Sequence, residues 1–202
     1  MPTQVKNFRV VCLGGSAGGL EAYLGILRPL PADTGMAFVI APHRGVEHAR
    51  LLPNILSAAT AMPVAEVMQG MRLEPNRVYV MPPGKDMTVN GSKFDLRTTP
   101  PARGWPKTIS VFMLSLAETY GNRAVAVILS GMDHDGSAAL QAVKAAGGIT
   151  FAQSNPSVSD MPRNAVDTGY VDMILPPAEI ARALLELPPV DDAAGIPIPS
   201  EA

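Results

Sequence analysis

Three short segments carry the residue types needed to activate a hydroxyl. The first is GGSAGG (residues 14–19), where Ser16 stands in a Gly14-x-Ser16-x-Gly18 frame. A serine on a tight strand-to-helix turn points away from the sheet, and small neighbours permit the sharp backbone. The helix that follows offers N–H groups to a developing oxyanion. The same residues also suit a phosphate-binding glycine loop or a plain N-cap serine. The spacing is neither Gly-x-Gly-x-x-Gly nor a Walker loop, because no Lys-Ser/Thr pair follows. On the motif alone, nucleophile and structural cap both stay open.

The second segment is APHRG (residues 41–45), with His43. Imidazole is the ordinary base for serine activation. A lone histidine is more often structural, but His43 gains weight from its place at a strand end. The other histidines are His48, early in a helical segment and read as an exposed or half-packed side chain, and His134. The third segment is SGMDHDGSAAL (residues 130–140). Asp135 stands just before Gly136 and a helix, which suits an N-cap aspartate; it equally suits the group that orients a catalytic histidine. The two roles are compatible. Asp133 and His134 are close rivals for these tasks.

These segments must be held by something, and the surrounding pattern says what. FRVVCLG (residues 8–14), MAFVIAPH (36–43) and RAVAVILSG (123–131) read as buried strands, with shorter strands at PVAEV, NRVYVMPP, ITFAQ and YVDMILP. Helical spacing runs through LEAYLGILRPL, EHARLLPNILSAAT with Pro53 as a kink or break, TISVFMLSLAETYG, GSAALQAVKAAGG, MPRNAVDTG and PAEIARALLELP. DMTVNGSKFDL (residues 86–96) reads as a hairpin about Asn90-Gly91. The alternation predicts an α/β fold: a doubly wound, mostly parallel sheet with helices on both faces and a small β-hairpin insert. In such sheets sites form at the carboxyl ends of strands, near a switch in strand order. Ser16, His43 and Asp135 all follow buried strands.

Composition narrows the classes. The chain has 202 residues, 47% of them hydrophobic, a length for one domain with a sizeable core. A formal net charge of −2 without a Lys/Arg block argues against nucleic-acid binding. Cys12 is the single cysteine and lies in an apolar run, so it reads as core packing with no disulfide framework. No signal-like N-terminus and no apolar run of about 20 residues is present, so a cytoplasmic chain without membrane insertion is expected. With three histidines and no clustered ligand spacing, no metal set is expected. Trp105 reads as an exposed anchor or a core cap, and Asp191-Asp192 as a solvated tail.

Taken together, the segments resemble the catalytic domain of the CheB chemotaxis protein-glutamate methylesterases. GGSAGGLEAY is similar to that family's nucleophile turn, FVIAPHRG to its histidine segment and VILSGMDHDGSAAL to its acid segment. AGGITFAQSNPSVSDMPRNAVDTGYVDMILP (residues 146–176) resembles its closing region, with FAQ and MPRNAV as markers. DTGMAFVIAPH is most similar to CheB domains fused to methyltransferase modules. The resemblance implies a serine-type carboxylic ester hydrolase of chemotaxis signal transduction. Its substrates would be γ-glutamyl methyl esters on chemoreceptor cytoplasmic helices, its products methanol and glutamate, and many relatives also deamidate glutamines. It implies Ser16 as nucleophile, His43 as base, Asp135 as acid, and the N–H groups of Ala17 and Met132 as oxyanion donors, with no metal or cofactor. The expected organisation is a catalytic domain at residues 1–187 and a loose C-terminal tail at 188–202.

Two departures stand out. MDHD replaces the small residues usual in the family, which sets Asp133 and His134 beside the acid. PKTIS (residues 106–110) replaces an Arg-Pro-Ser-(Val/Ile)-Asp segment, so Pro106 and Ser110 fill the arginine and aspartate positions. The family's phosphorylated receiver domain is not seen ahead of the first strand, giving an expectation of constitutive access. The alternatives carried are an esterase for another protein or a small ester, a catalytically weak receptor-array interaction module, and a phosphate- or nucleotide-binding domain.

Overall fold

The computed structural model describes residues 7–43, 51–98 and 107–190. The readings for His48, Trp105, Pro106, Asp191-Asp192 and the tail beyond residue 190 lie outside these residues. The described strands are β1 (Val10–Gly15), β2 (Ala37–Pro42), β3 (Val64–Glu66), β4 (Arg77–Val80), β5 (Lys85–Asn90), β6 (Lys93–Thr98), β7 (Ala124–Ile128), β8 (Ile149–Gln153) and β9 (Met173–Leu175). The helices are α1 (Gly19–Leu27), α2 (Leu52–Ser57), α3 (Thr108–Tyr120), α4 (Leu140–Ala145), α5 (Asp160–Asp167) and α6 (Pro177–Leu185).

Strands of near-continuous apolar residues can be stable only when both faces are covered. That is how they are used. One seven-stranded parallel sheet has the order β3-β4-β2-β1-β7-β8-β9. Along β1 the side chains alternate between two layers. Val10 and Cys12 join a core with α3, α4, α5 and the β5–β6 hairpin. Val11 and Leu13 join a core with α1, α2 and α6. The fold is therefore the expected doubly wound α/β sheet with its antiparallel hairpin insert. The hairpin is anchored on α3: the Val89 N–H donates to Ser115 Oγ (3.1 Å) and Thr119 Oγ1 donates to the Val89 carbonyl (3.0 Å).

The chain leaves β1 toward β2, β4 and β3, then returns to β7 on the other side of β1. That reversal opens a crevice at the carboxyl ends of β1 and β7.

Local details differ from the sequence pattern. Pro53 sits in the first turn of α2, where its missing N–H costs nothing; the residues before 51 that the helical spacing also covered lie outside the described ones. The hairpin pairs Asn90 with Lys93, so the two-residue turn is Gly91-Ser92, one step later than expected. Gly91 supplies the positive φ of 56° that the turn requires. After Gly136 the chain first makes a 3₁₀ turn, Ser137–Ala139, before α4.

One anchor of β8 predicts acid sensitivity. Asp172 pairs with Lys144 Nζ at 2.7 Å and accepts hydrogen bonds from Thr150 N (2.9 Å) and Thr150 Oγ1 (3.0 Å). Burial pushes this carboxyl up, but the Lys144 and Thr150 hydrogen bonds and the Lys144 charge outweigh it, and the net shift is downward. A carboxyl lowered in the folded state adds stability that is full above its unfolded value near ~4 and is lost as pH falls through the folded value. Asp172→Asn should therefore flatten the fall of stability below about pH 4. Urea unfolding at neutral and acidic pH checks this; an equally steep fall in the variant refutes it.

Candidate active site

Ser16 leaves the end of β1 in a turn closed by two backbone bonds. Its N–H donates to the Ser130 carbonyl (2.9 Å), and the Gly19 N–H donates to the Ser16 carbonyl (2.8 Å). The cap position of α1 is Gly18, and no side chain caps that helix, so the Ser16 hydroxyl is not used as an N-cap. Gly18 has a φ of 74°, and a Cβ there would lie 1.9 Å from Ser157 Oγ and 2.6 Å from Ser130 Oγ. Only glycine fits this turn. The N–H groups of Ala17 and Met132, the two expected oxyanion donors, have no hydrogen-bond acceptor among the described residues. Met132 itself is exposed at the mouth of the site.

Ser130 locks the turn from beneath. Its Oγ donates to the Ala17 carbonyl (2.8 Å), accepts from Val158 N–H (3.0 Å) and lies 3.1 Å from Ser157 Oγ. Its N–H donates to Gln153 Oε1 (2.8 Å). Gln153 is the last residue of the FAQ marker. Sequence reasoning missed Ser130 and Gln153 as positioning groups; the polar residue ending each apolar strand was the available signal.

Gly131 is tight against the same turn. A Cβ there would lie 2.8 Å from Ser16 Cβ and 2.2 Å from the sulfur of buried Met161. Gly131→Ala should cost about 1–3 kcal/mol by overpacking. It should also slow any reaction at Ser16 by roughly 10²-fold through misplacement. Chemical unfolding together with turnover checks both; a variant with unchanged turnover would show that Ser16 tolerates the displacement.

His43 follows β2, and its N–H donates to the Gly15 carbonyl (2.8 Å), which docks it beside the serine turn. It is buried, with 5% exposure. Its Nε2 lies 3.8 Å from Asp133 Oδ2. Asp133 also holds His134: its Oδ1 accepts the His134 N–H (2.6 Å) and contacts His134 Nδ1. Asn164, from the MPRNAV marker on α5, donates to the Asp133 carbonyl (2.9 Å). His134 itself is exposed.

Asp135 is buried two residues further on. It caps a helix, but not the one that follows it. Its carboxylate accepts from Ile109 N (2.9 Å), Ser110 N (2.9 Å) and Ser110 Oγ (2.8 Å) at the start of α3. No side chain caps the turn after Gly136. The physical reason is that the first N–H groups of α3 lack partners inside the helix and lie against the β7 loop, whereas Gly136 turns away with a φ of 89°. Ser110 therefore fits its unusual position: it donates to Asp135 and accepts the Gly136 N–H at 2.8 Å. Beneath, burial pushes the Cys12 thiol far up and the charge of Asp135 adds to this, which leaves Cys12 unreactive core.

The three strand ends thus bring Ser16, His43 and the 133–135 loop to one crevice. Of the two aspartates, Asp133 is the one within ion-pair range of His43, and Asp135 is taken up by α3. An open pocket of about 390 Å³ extends from there, lined by Asp133, His134, Asp160, Arg163, Asn164 and Asp167. No cluster of three or more His, Cys, Asp or Glu suited to a metal is found among the described residues. No described helix is long and apolar enough to cross a membrane. A hydroxyl, an imidazole, carboxylates and two unengaged N–H groups are the parts of acyl transfer.

Comparison with known proteins points the same way. The family model described as CheB methylesterase matches residues 11–184. A protein-glutamate methylesterase/protein-glutamine glutaminase of Anaeromyxobacter dehalogenans is 34% identical over 188 residues, covering 92% of this chain and 55% of the relative. One from Bordetella parapertussis is 36% identical over 184 residues, covering 88% and 52%. The chain therefore spans about half the length of these curated relatives. The crystal structure of the Thermotoga maritima CheB methylesterase catalytic domain superposes with a TM-score of 0.82 at 27% identity, covering 89% of this chain and 98% of that one.

Proposed function

The chain belongs to the CheB methylesterase family, and from that premise we propose that it hydrolyses γ-glutamyl methyl esters on the cytoplasmic helices of chemoreceptors, giving glutamate and methanol. The observation that carries this reading is the meeting of Ser16, His43 and the 133–135 loop at the ends of β1, β2 and β7. Residues up to 187 form the catalytic domain in this reading, working in the cytoplasm.

Ser16 Oγ attacks the ester carbonyl carbon while His43 takes the hydroxyl proton. The carbonyl oxygen becomes an oxyanion, met by the N–H groups of Ala17 and Met132. Collapse breaks the bond to the methoxy group, and His43 returns the proton to release methanol. Water then repeats the sequence on the acyl-serine, and glutamate leaves. Asp135 serves as the acid of the set while fixing the start of α3 against the β7 loop. A γ-amide passes through the same steps with ammonia leaving, so glutamine deamidation belongs to the same reading. Its support is the glutaminase activity in the names of the similar proteins. Methanol release from methylated receptor membranes tests it. Release that depends on Ser16 supports it, and no release from receptor or from small methyl esters overturns it.

A further inference from the structure

Resting on the esterase reading above, we propose that Asp133 is a second carboxylate serving His43, a positioning residue that acts on the base in addition to Asp135. Its Oδ2 lies 3.8 Å from His43 Nε2, with the two side chains only 5% and 10% exposed. Its other oxygen is tied to His134, and its carbonyl to Asn164. The carboxylate is thus oriented, with one oxygen turned to the imidazole. Asp135, by contrast, spends both oxygens on the start of α3.

The backbone gives an independent sign. Asp133 has a φ of 83°, a region that glycine enters freely and other residues occupy at a cost. A strained residue held at a site by its neighbours points to a task for its side chain. The task follows from the reaction. When His43 takes the Ser16 proton it becomes a cation, and it must keep one ring orientation while it holds and returns that proton. A shielded carboxylate at this distance stabilises the cation far more than it would in bulk water. The proton itself stays on the imidazole; Asp133 receives none.

Two variants separate this role from a structural one. Asp133→Gly removes the carboxylate and relieves the backbone. Asp133→Asn keeps a side chain that tolerates positive φ and removes only the charge. Both should lower kcat for methanol release about 10- to 100-fold, with KM within about twofold. The glycine variant should melt at the same temperature as the wild type or higher. A kcat within about twofold of wild type in both variants overturns the proposal. So does a loss confined to KM, which would make Asp133 a substrate contact. A wild-type chain that releases no methanol overturns the esterase reading itself and this inference with it, whereas release that survives Ser16→Ala overturns the assignment of the nucleophile and the inference built on it.

Discussion

Ser16→Ala should abolish methanol release from methylated receptors, by ~10⁴- to 10⁶-fold, while the protein melts at its wild-type temperature. The two halves of this expectation have separate causes. The turn is held by backbone bonds from Ser16 N–H and to the Ser16 carbonyl, and by the absence of side chains at Gly18 and Gly131. Alanine keeps all of these and keeps Cβ, so stability should move by less than about 0.5 kcal/mol. On the proposed reading the reaction loses its nucleophile altogether, and only the proposed oxyanion donors and substrate binding remain to help water. Release assays beside a thermal melt measure both. Residual release within tenfold of wild type would move the nucleophile elsewhere in the crevice.

Asp135→Ala should fail differently, losing stability and activity together. The carboxylate is 2% exposed and accepts three hydrogen bonds, from Ile109 N, Ser110 N and Ser110 Oγ. Its removal strands two backbone donors and a hydroxyl in a dry place, at about 1–3 kcal/mol for each group left unmet. Water entering the gap offsets part of this, so a net loss of about 3–5 kcal/mol is expected, large beside the stability of an ordinary domain. Activity should fall ~10⁴-fold, because the acid of the proposed triad is lost and α3 is no longer pinned to the 133–135 loop. Urea unfolding and turnover report the two effects. A variant with wild-type stability would show that the start of α3 finds other acceptors.

The contrast between these residues separates what local sequence pattern determines from what long-range contacts determine. Ser16 and His43 sit one residue past apolar strands in a βαβ alternation, so local pattern was enough to place them at strand ends. The doubly wound parallel sheet with helices on both faces followed from the same periodicity, and the hairpin from its Asn-Gly pair; the strand order did not. The different partners of Asp133 and Asp135 were not legible. They depend on a loop with positive φ at Asp133 and Gly136, where neither helical nor strand periodicity applies. They depend also on α3, whose first N–H groups come from residues 25 and 26 positions earlier in the chain. Short-range reasoning assigned the Asp135 cap to the helix that follows, and the long-range partner took it. The FAQ and MPRNAV markers were recognisable as words; their work on Ser130 and Asp133 appeared only with the contacts of Gln153 and Asn164.

The placement of the chain's outer segments has an engineering consequence. Asn7 Nδ2 donates to the Val190 carbonyl (3.2 Å), and Arg9, just ahead of β1, donates to the carbonyls of Pro188 and Asn122 (3.0 Å each). Residues 7–9 and 188–190 are therefore neighbours at the amino ends of the strands, the pole opposite the crevice. A short linker joining them would bridge a small gap, so circular permutation with new ends at Gly91-Ser92 should keep fold and chemistry intact. The whole body could equally be spliced into a host loop as an insert, with its crevice facing away from the host.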